Sequence, residues 1–203
     1  MKISIIAMVV SIIFSYEATA QSQNLSDYKF LLEEQQGYII TLKGDSLVGK
    51  LYMGSLPSYI TFKSILRPDK EEKYFAADIV RAKCGEHLFK PMIYKVKGAL
   101  SLGNVKVFLE VLEEGNKLGL YREYTLSYEL NAQGVKSKSF DVGDLLIRPD
   151  GSAASLKDLK FMNFAKGMSK YIEDNAVLSQ KVLAKEKGFM KMDLKNIIKE
   201  YNQ

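Results

Sequence analysis

The stretch Gly37 to Met53, GYIITLKGDSLVGKLYM, limits most sharply what this chain can fold into. Two runs rich in β-branched and aromatic residues, Tyr38 to Leu42 and Ser46 to Tyr52, flank Lys43-Gly44-Asp45, where Gly44 can supply the positive φ of a tight reversal. This predicts a β-hairpin, and much of the chain beyond it repeats the pattern. Ser58 to Lys63, Lys73 to Ala76, Ile79 to Cys84, His87 to Lys97 (interrupted by Pro91), Val105 to Leu112, Leu118 to Leu130, Lys138 to Val142 and Leu145 to Arg148 read as strands. Turn chemistry separates several of them, at Arg67-Pro68-Asp69-Lys70, Glu113-Glu114-Gly115-Asn116 and Pro149-Asp150-Gly151-Ser152. Pro91 places its run at an edge or a bulge. Before the hairpin, Tyr28, Phe30 and Leu32 alternate with Lys29, Leu31 and Glu33, which predicts a first strand. No helical period intervenes, so about nine to eleven strands should form an antiparallel meander, as a sandwich or an open barrel.

At Ser155 the period changes. Phe161, Ala165, Met168 and Ile172 recur at helical spacing, and Ser155 with Asp158 is a capping pair. Asp174 or Asn175 can cap a second helix containing Val177, Leu178 and Val182, which Gly188 breaks. Asp193 can cap a last one in which Leu194, Ile197, Ile198 and Tyr201 share a face. The expected class is therefore α+β, an antiparallel β domain over 21–154 followed by short C-terminal helices over 155–203 that pack on it.

Residues 1–20 have the form of a signal peptide: Lys2, an uncharged apolar run from Ile3 to Phe14, and the small-residue site Ala18-Thr19-Ala20. The apolar run is short of the roughly 20 residues a membrane span needs, and no later stretch is long enough. The expectation is export to the periplasm or to the periphery of the outer membrane, with no transmembrane span in the mature chain. The single cysteine, Cys84, lies far from the cleavage site and has no internal disulfide partner. Net charge is +5, and from Leu156 to Gln203 ten lysines face six acids. For an exported chain this basicity points away from nucleic acid and toward an envelope protein or an anionic envelope surface.

Candidate chemistry is sparse. His87 is the only histidine, so no multi-imidazole metal site, HExxH or CxxC arrangement exists, and no metal or cofactor is expected. Cys84 and His87 are three apart and would meet only across a turn at Gly85-Glu86, so a core cysteine and a surface histidine are expected. No GxSxG elbow is present. Paired carboxylates need only meet in space, and Glu110, Glu113, Glu114, Glu123 and Asp141 are the candidates for a hydrolase. Tyr121, Tyr124 and Tyr128 are candidates for an aromatic groove, although their parity sends rings to both sheet faces. On the last helix Lys191, Lys195 and Lys199, spaced by four, form a candidate docking stripe beside the apolar face.

The signal segment, GYIITLKGDSLVGKL, Tyr74-Phe75-Ala76-Ala77-Asp78-Ile79 and the ending Ile197-Ile198-Lys199-Glu200-Tyr201-Asn202 together resemble a broad set of uncharacterised exported β-rich proteins common in Bacteroidetes. Cys84-Gly85-Glu86 departs from that pattern, where a more apolar strand end is expected. The resemblance implies fold and compartment and supplies no catalytic residue. The expected function is a non-enzymatic envelope binding or structural module; the alternative is an envelope hydrolase using paired carboxylates.

Overall fold

The structure, a computed structural model, describes residues 25–54, 58–96, 106–130, 136–161 and 163–203. The signal segment expected over 1–20 lies outside the described residues. Eleven strands form one sheet: β1 Gln35–Thr41, β2 Ser46–Tyr52, β3 Tyr59–Ser64, β4 Arg67–Phe75, β5 Ile79–Cys84, β6 His87–Met92, β7 Lys95–Val96, β8 Val107–Glu113, β9 Gly119–Leu130, β10 Lys136–Ile147 and β11 Ser152–Ser155. Their order is β4-β3-β2-β1-β5-β6-β8-β9-β10-β11-β7. Neighbours are antiparallel except β11 and β7, which run parallel. Short helices come after the strands: α2 Leu156–Phe161, α3 Phe164–Tyr171, α4 Ala176–Leu183 and α5 Leu194–Asn202. The antiparallel meander and the C-terminal helices agree with the α+β expectation.

The hairpin forms as its sequence dictates. Tyr38 faces Val48 and Ile39 faces Leu47, while Gly44 at φ 87° turns the chain and its N–H donates to the Thr41 carbonyl at 3.0 Å. Two local readings are corrected. The strand expected over Tyr28 to Glu33 does not form: a 3-10 turn, Leu25–Tyr28, runs into a single α-turn, α1 Lys29–Leu32. Alternation would leave Leu31 outside, yet it is buried with Ile39, Leu51 and Phe62, because the segment lies on a sheet face instead of extending the sheet. Arg67-Pro68-Asp69-Lys70 is not the reversal either; it begins β4, and the register slips between Lys63 and Ser64 so that 68–70 lie out of step. As the last strand in the order, β4 has an open side where a proline leaves no ladder bond unmade.

β8, β9 and β10 have two different faces, and both are covered. One face joins two apolar clusters. Phe108, Phe140, Tyr124 and Leu126 pack with the N-terminal segment and β1–β6; Leu118, Leu120 and Leu146 pack under α3–α5. The opposite face carries Val107, Leu109, Tyr121, Leu145 and Ile147, with Met92 and Tyr94 against them. β7 comes after β6 with only Ile93 and Tyr94 between, so the chain passes directly from the middle of the sheet order to its far end. The α5 face of Leu194, Ile197, Ile198 and Tyr201 is buried as expected, a burial that stabilises by roughly 1.5–3 kcal/mol per side chain before entropy is subtracted. The single helix expected through Phe161 to Ile172 is two, because Asn163 takes φ 80° and its Oδ1 accepts from the Ala165 N–H at 3.2 Å to start α3.

Candidate functional site

Between the two clusters that share one sheet face lies a row of charge. Glu110, Arg122 and Asp144 are in register across β8, β9 and β10. Arg122 donates from Nε and Nη2 to the Asp144 carboxylate at 2.7 and 3.2 Å. Glu110 is only 7% exposed. It accepts from the Tyr124 hydroxyl and lies 2.7 Å from His87 Nδ1. Phe30 of α1 stacks on the His87 ring at 3.6 Å between centroids and 9° between planes, and meets Tyr124 edge-on. Burial, with the Glu110 carboxylate next, pushes the Tyr124 hydroxyl well above the ordinary phenol range. The bond to Asp144 holds the Arg122 guanidinium firmly charged.

Chemically this row is a charge-compensated bridge. Carboxylates two strands apart are separated by about 10 Å across the sheet, and a hydrolase of the inverting kind would hold a water in that gap. Here the Arg122 residue occupies it. Sequence reasoning counted Glu110 among its acids and missed Arg122, Asp144 and the link to His87, since only the register of three strands brings them together.

The other acids are each engaged elsewhere. Glu114 accepts from Lys90 Nζ at 2.5 Å and Arg81 Nη2 at 2.8 Å, and the Lys90 bond lowers its carboxyl below the usual range. Glu123 accepts from the Tyr94 hydroxyl at 2.6 Å on the opposite face. Asp141 accepts from Ser127 at 2.6 Å, and Glu113 faces Lys199 at 3.7 Å. Among the described residues no three His, Cys, Asp or Glu side chains gather as a metal site would require.

Cys84 and His87 are opposite one another across the β5–β6 turn, but they have different partners. The Cys84 thiol is buried and directed at the carbonyls of Phe30 and Leu51, and burial pushes it up to about 12. A thiol held neutral in this way is a poor nucleophile.

The three tyrosines are distributed, not gathered. Tyr121 is buried with Leu145 and Ile147, Tyr124 is on the opposite face at Glu110, and Tyr128, 59% exposed, is further along β9. A cleft of about 440 Å³ opens beside Tyr121 between Met92–Lys95 and Ile147–Gly151. Two of its three basic groups turn elsewhere, Lys90 to Glu114 and Arg148 to the Tyr201 hydroxyl and the Tyr171 carbonyl at 2.8 and 2.7 Å; Lys95 is exposed at its rim.

Lys191, Lys195 and Lys199 are all exposed, but only Lys195 and Lys199 lie on α5; Lys191 belongs to a 3-10 turn, Lys191–Asp193, that precedes it. Lys199 alone of the three has an acid in reach, Glu113; Lys191 and Lys195 form no ion pair among the described residues. The chain between α4 and α5 adds exposed Lys185 and Lys187, so from Lys181 to Gln203 six lysines stand against three acids. No family model, curated protein or solved structure matches the chain. Among the described residues no helix is long and apolar enough to cross a membrane.

Proposed function

We propose that the protein is a non-enzymatic, exported module of the cell envelope that attaches to an anionic envelope surface through its C-terminal helical layer. The observation that carries this reading is the division of the last helix and the turn before it: four apolar side chains of α5 are buried on the sheet, while Lys195 of α5 and Lys191 of the preceding turn are left outward beside further lysines. A solvated flank needs no such surplus of one sign, and each lysine near an anionic surface contributes on the order of 1 kcal/mol, weakened by salt. The signal-like N-terminus and the resemblance to exported β-rich proteins support the compartment. Against the hydrolase stands the separate engagement of each candidate acid. Whether the sheet is best described as a sandwich or an open barrel does not alter the reading, because the helices cover one of its faces in either case.

The test is sedimentation with native envelope membranes. The parent should pellet at low salt and be released by high salt, and the variant Lys191→Glu, Lys195→Glu, Lys199→Glu should stay in the supernatant. Exposed substitutions usually change stability by no more than about 0.5 kcal/mol each, so folding should be retained. Equal pelleting of parent and variant would refute the attachment.

A further inference from the structure

We infer that the envelope component at this surface is the anionic lipid bilayer itself, entered by the corner between α4 and α5; this rests on the attachment proposed above and names its partner. The corner runs from Leu183 to Lys195. Leu183 is 47% exposed, Met190 39% and Met192 84%, and Lys185, Lys187, Lys191 and Lys195 are exposed around them. Of the two acids in this stretch, Glu186 is exposed between Lys185 and Lys187, and half-buried Asp193 is engaged locally, accepting from the Met190 N–H at 3.1 Å. Lys181, just before the corner, is held by Glu200 at 2.7 Å and lies over the Phe189 ring, which fixes the corner to the helices behind it.

The corner is a run of exposed apolar side chains interspersed with exposed lysines. Methionine is flexible and polarizable and adapts to an irregular apolar medium. Lysine stems can lie along that medium while their ammonium groups reach outward to phosphates. An anionic bilayer offers both at the right depths, acyl boundary for Met192 and headgroup phosphate for the lysines. An acidic protein or polysaccharide would satisfy the lysines and leave Met192 in water. Backbone geometry adds a second indication, because Lys185 sits at φ 56°, just after α4, where glycine is the usual occupant. The corner keeps a lysine at a position that disfavours it.

The chain has no tryptophan, so Met192→Trp creates a single tryptophan, at the tip, that can be excited apart from the tyrosines. Tyr128→Trp does the same at an exposed site on β9, on the sheet and not in the helical layer. With vesicles of phosphatidylglycerol and phosphatidylcholine at low salt, Met192→Trp should co-sediment and its emission should shift to the blue, while Tyr128→Trp co-sediments with unshifted emission. Vesicles of phosphatidylcholine alone should do neither. Met192→Ser should weaken partition to the anionic vesicles several-fold with its thermal unfolding unchanged. Co-sedimentation of Met192→Trp without a blue shift would overturn insertion and leave surface attachment standing. Pelleting with native membranes but not with anionic vesicles would overturn the bilayer as partner and again leave attachment standing. Failure to pellet with either would remove both.

Discussion

One face of β9 is covered twice, by two kinds of structure. Toward its start, Leu118 and Leu120 lie under α3–α5; further along, Tyr124 and Leu126 lie against the N-terminal segment with Phe30 and Leu31. Arg122, between them in the alternation, reaches Asp144 on β10. The C-terminal cover is a set of amphipathic helices, each of which has its own apolar stripe. The N-terminal cover is a helix of four residues, α1, far too short to be stable alone. It exists because the sheet beneath it needs a lid. A cover can be written in the sequence as periodicity, or imposed by a surface that has to be buried.

The largest effects should show whether the short cover is as much part of the core as the long one. Leu31→Ala and Ile198→Ala each remove a buried side chain, at 3% and 0% exposure, and each should cost about 2–5 kcal/mol, read as a fall in the denaturation midpoint. If Leu31→Ala unfolds with the parent, α1 merely rests on the sheet and the two covers are not equivalent.

Next in size is the join between α5 and the strands. The Asn202 carboxamide accepts from the Lys117 and Leu118 N–H groups at 2.7 and 3.1 Å and donates to the Leu118 carbonyl at 2.8 Å. Asn202→Ala strands those backbone groups and should cost roughly 1–3 kcal/mol. Hydrogen exchange should rise first at residues 117 and 118. Faster exchange confined to α1 would place the weak cover at the other end of the face.

The same contrast between periodicity and imposed burial decides which elements are legible in the sequence. α4 and α5 are visible there because Leu178 and Val182 in one, and Leu194, Ile197, Ile198 and Tyr201 in the other, recur at helical spacing, with Asn175 placed to cap α4; its Oδ1 accepts from the Leu178 N–H at 3.1 Å. The β1–β2 hairpin is visible because Gly44 interrupts two β-branched runs. α1 is not, since Tyr28, Phe30 and Leu32 fit a strand equally well, and only the sheet around them decides otherwise. The row Glu110, Arg122, Asp144 is not either, because it depends on the registers of β8 with β9 and β9 with β10. The lysines of α5 are legible as a stripe, whereas the exposed methionines beside them need the fold to show which apolar residues stay outside.

Two further measurements sharpen the contrast. Gly44→Val introduces strain at φ 87°, where a built Cβ meets nothing within 4 Å, so the cost, on the order of 1–3 kcal/mol, is purely conformational. A parent-like melting temperature would mean that the turn relaxes freely. The second is pH. The Tyr201 hydroxyl, and after it the Arg148 charge, hold the Asp174 carboxyl below its ordinary range, which ties the helices to the end of β10. A carboxyl lowered by folding stabilises the fold above its unfolded value, and that contribution is lost as pH falls through the folded value. Asp174→Asn should therefore cost no more than about 1 kcal/mol at pH 7, the group being largely exposed. Below about pH 4 its stability should converge on the parent's. Parallel acid limbs for parent and variant would show that Asp174 contributes nothing.

The smallest effect concerns another left-handed position and has the opposite sign. Lys185, at φ 56°, comes after α4 where the chain turns back: its N–H donates to the Val182 carbonyl at 3.1 Å and the Glu186 N–H to that of Lys181 at 3.1 Å. A side chain in this conformation costs about 1 kcal/mol relative to glycine, and glycine's greater freedom in the unfolded chain returns part of that difference. Lys185→Gly should thus stabilise by a few tenths of a kcal/mol, on the order of 0.5 at most. At Gly44 the sequence accepts the residue that the backbone favours; at Lys185 it does not. If the lysine is kept for the bilayer, the same substitution should raise the melting temperature and weaken partition to anionic vesicles. A variant that is more stable and binds vesicles as well as the parent would show that Lys185 is not part of the docking corner.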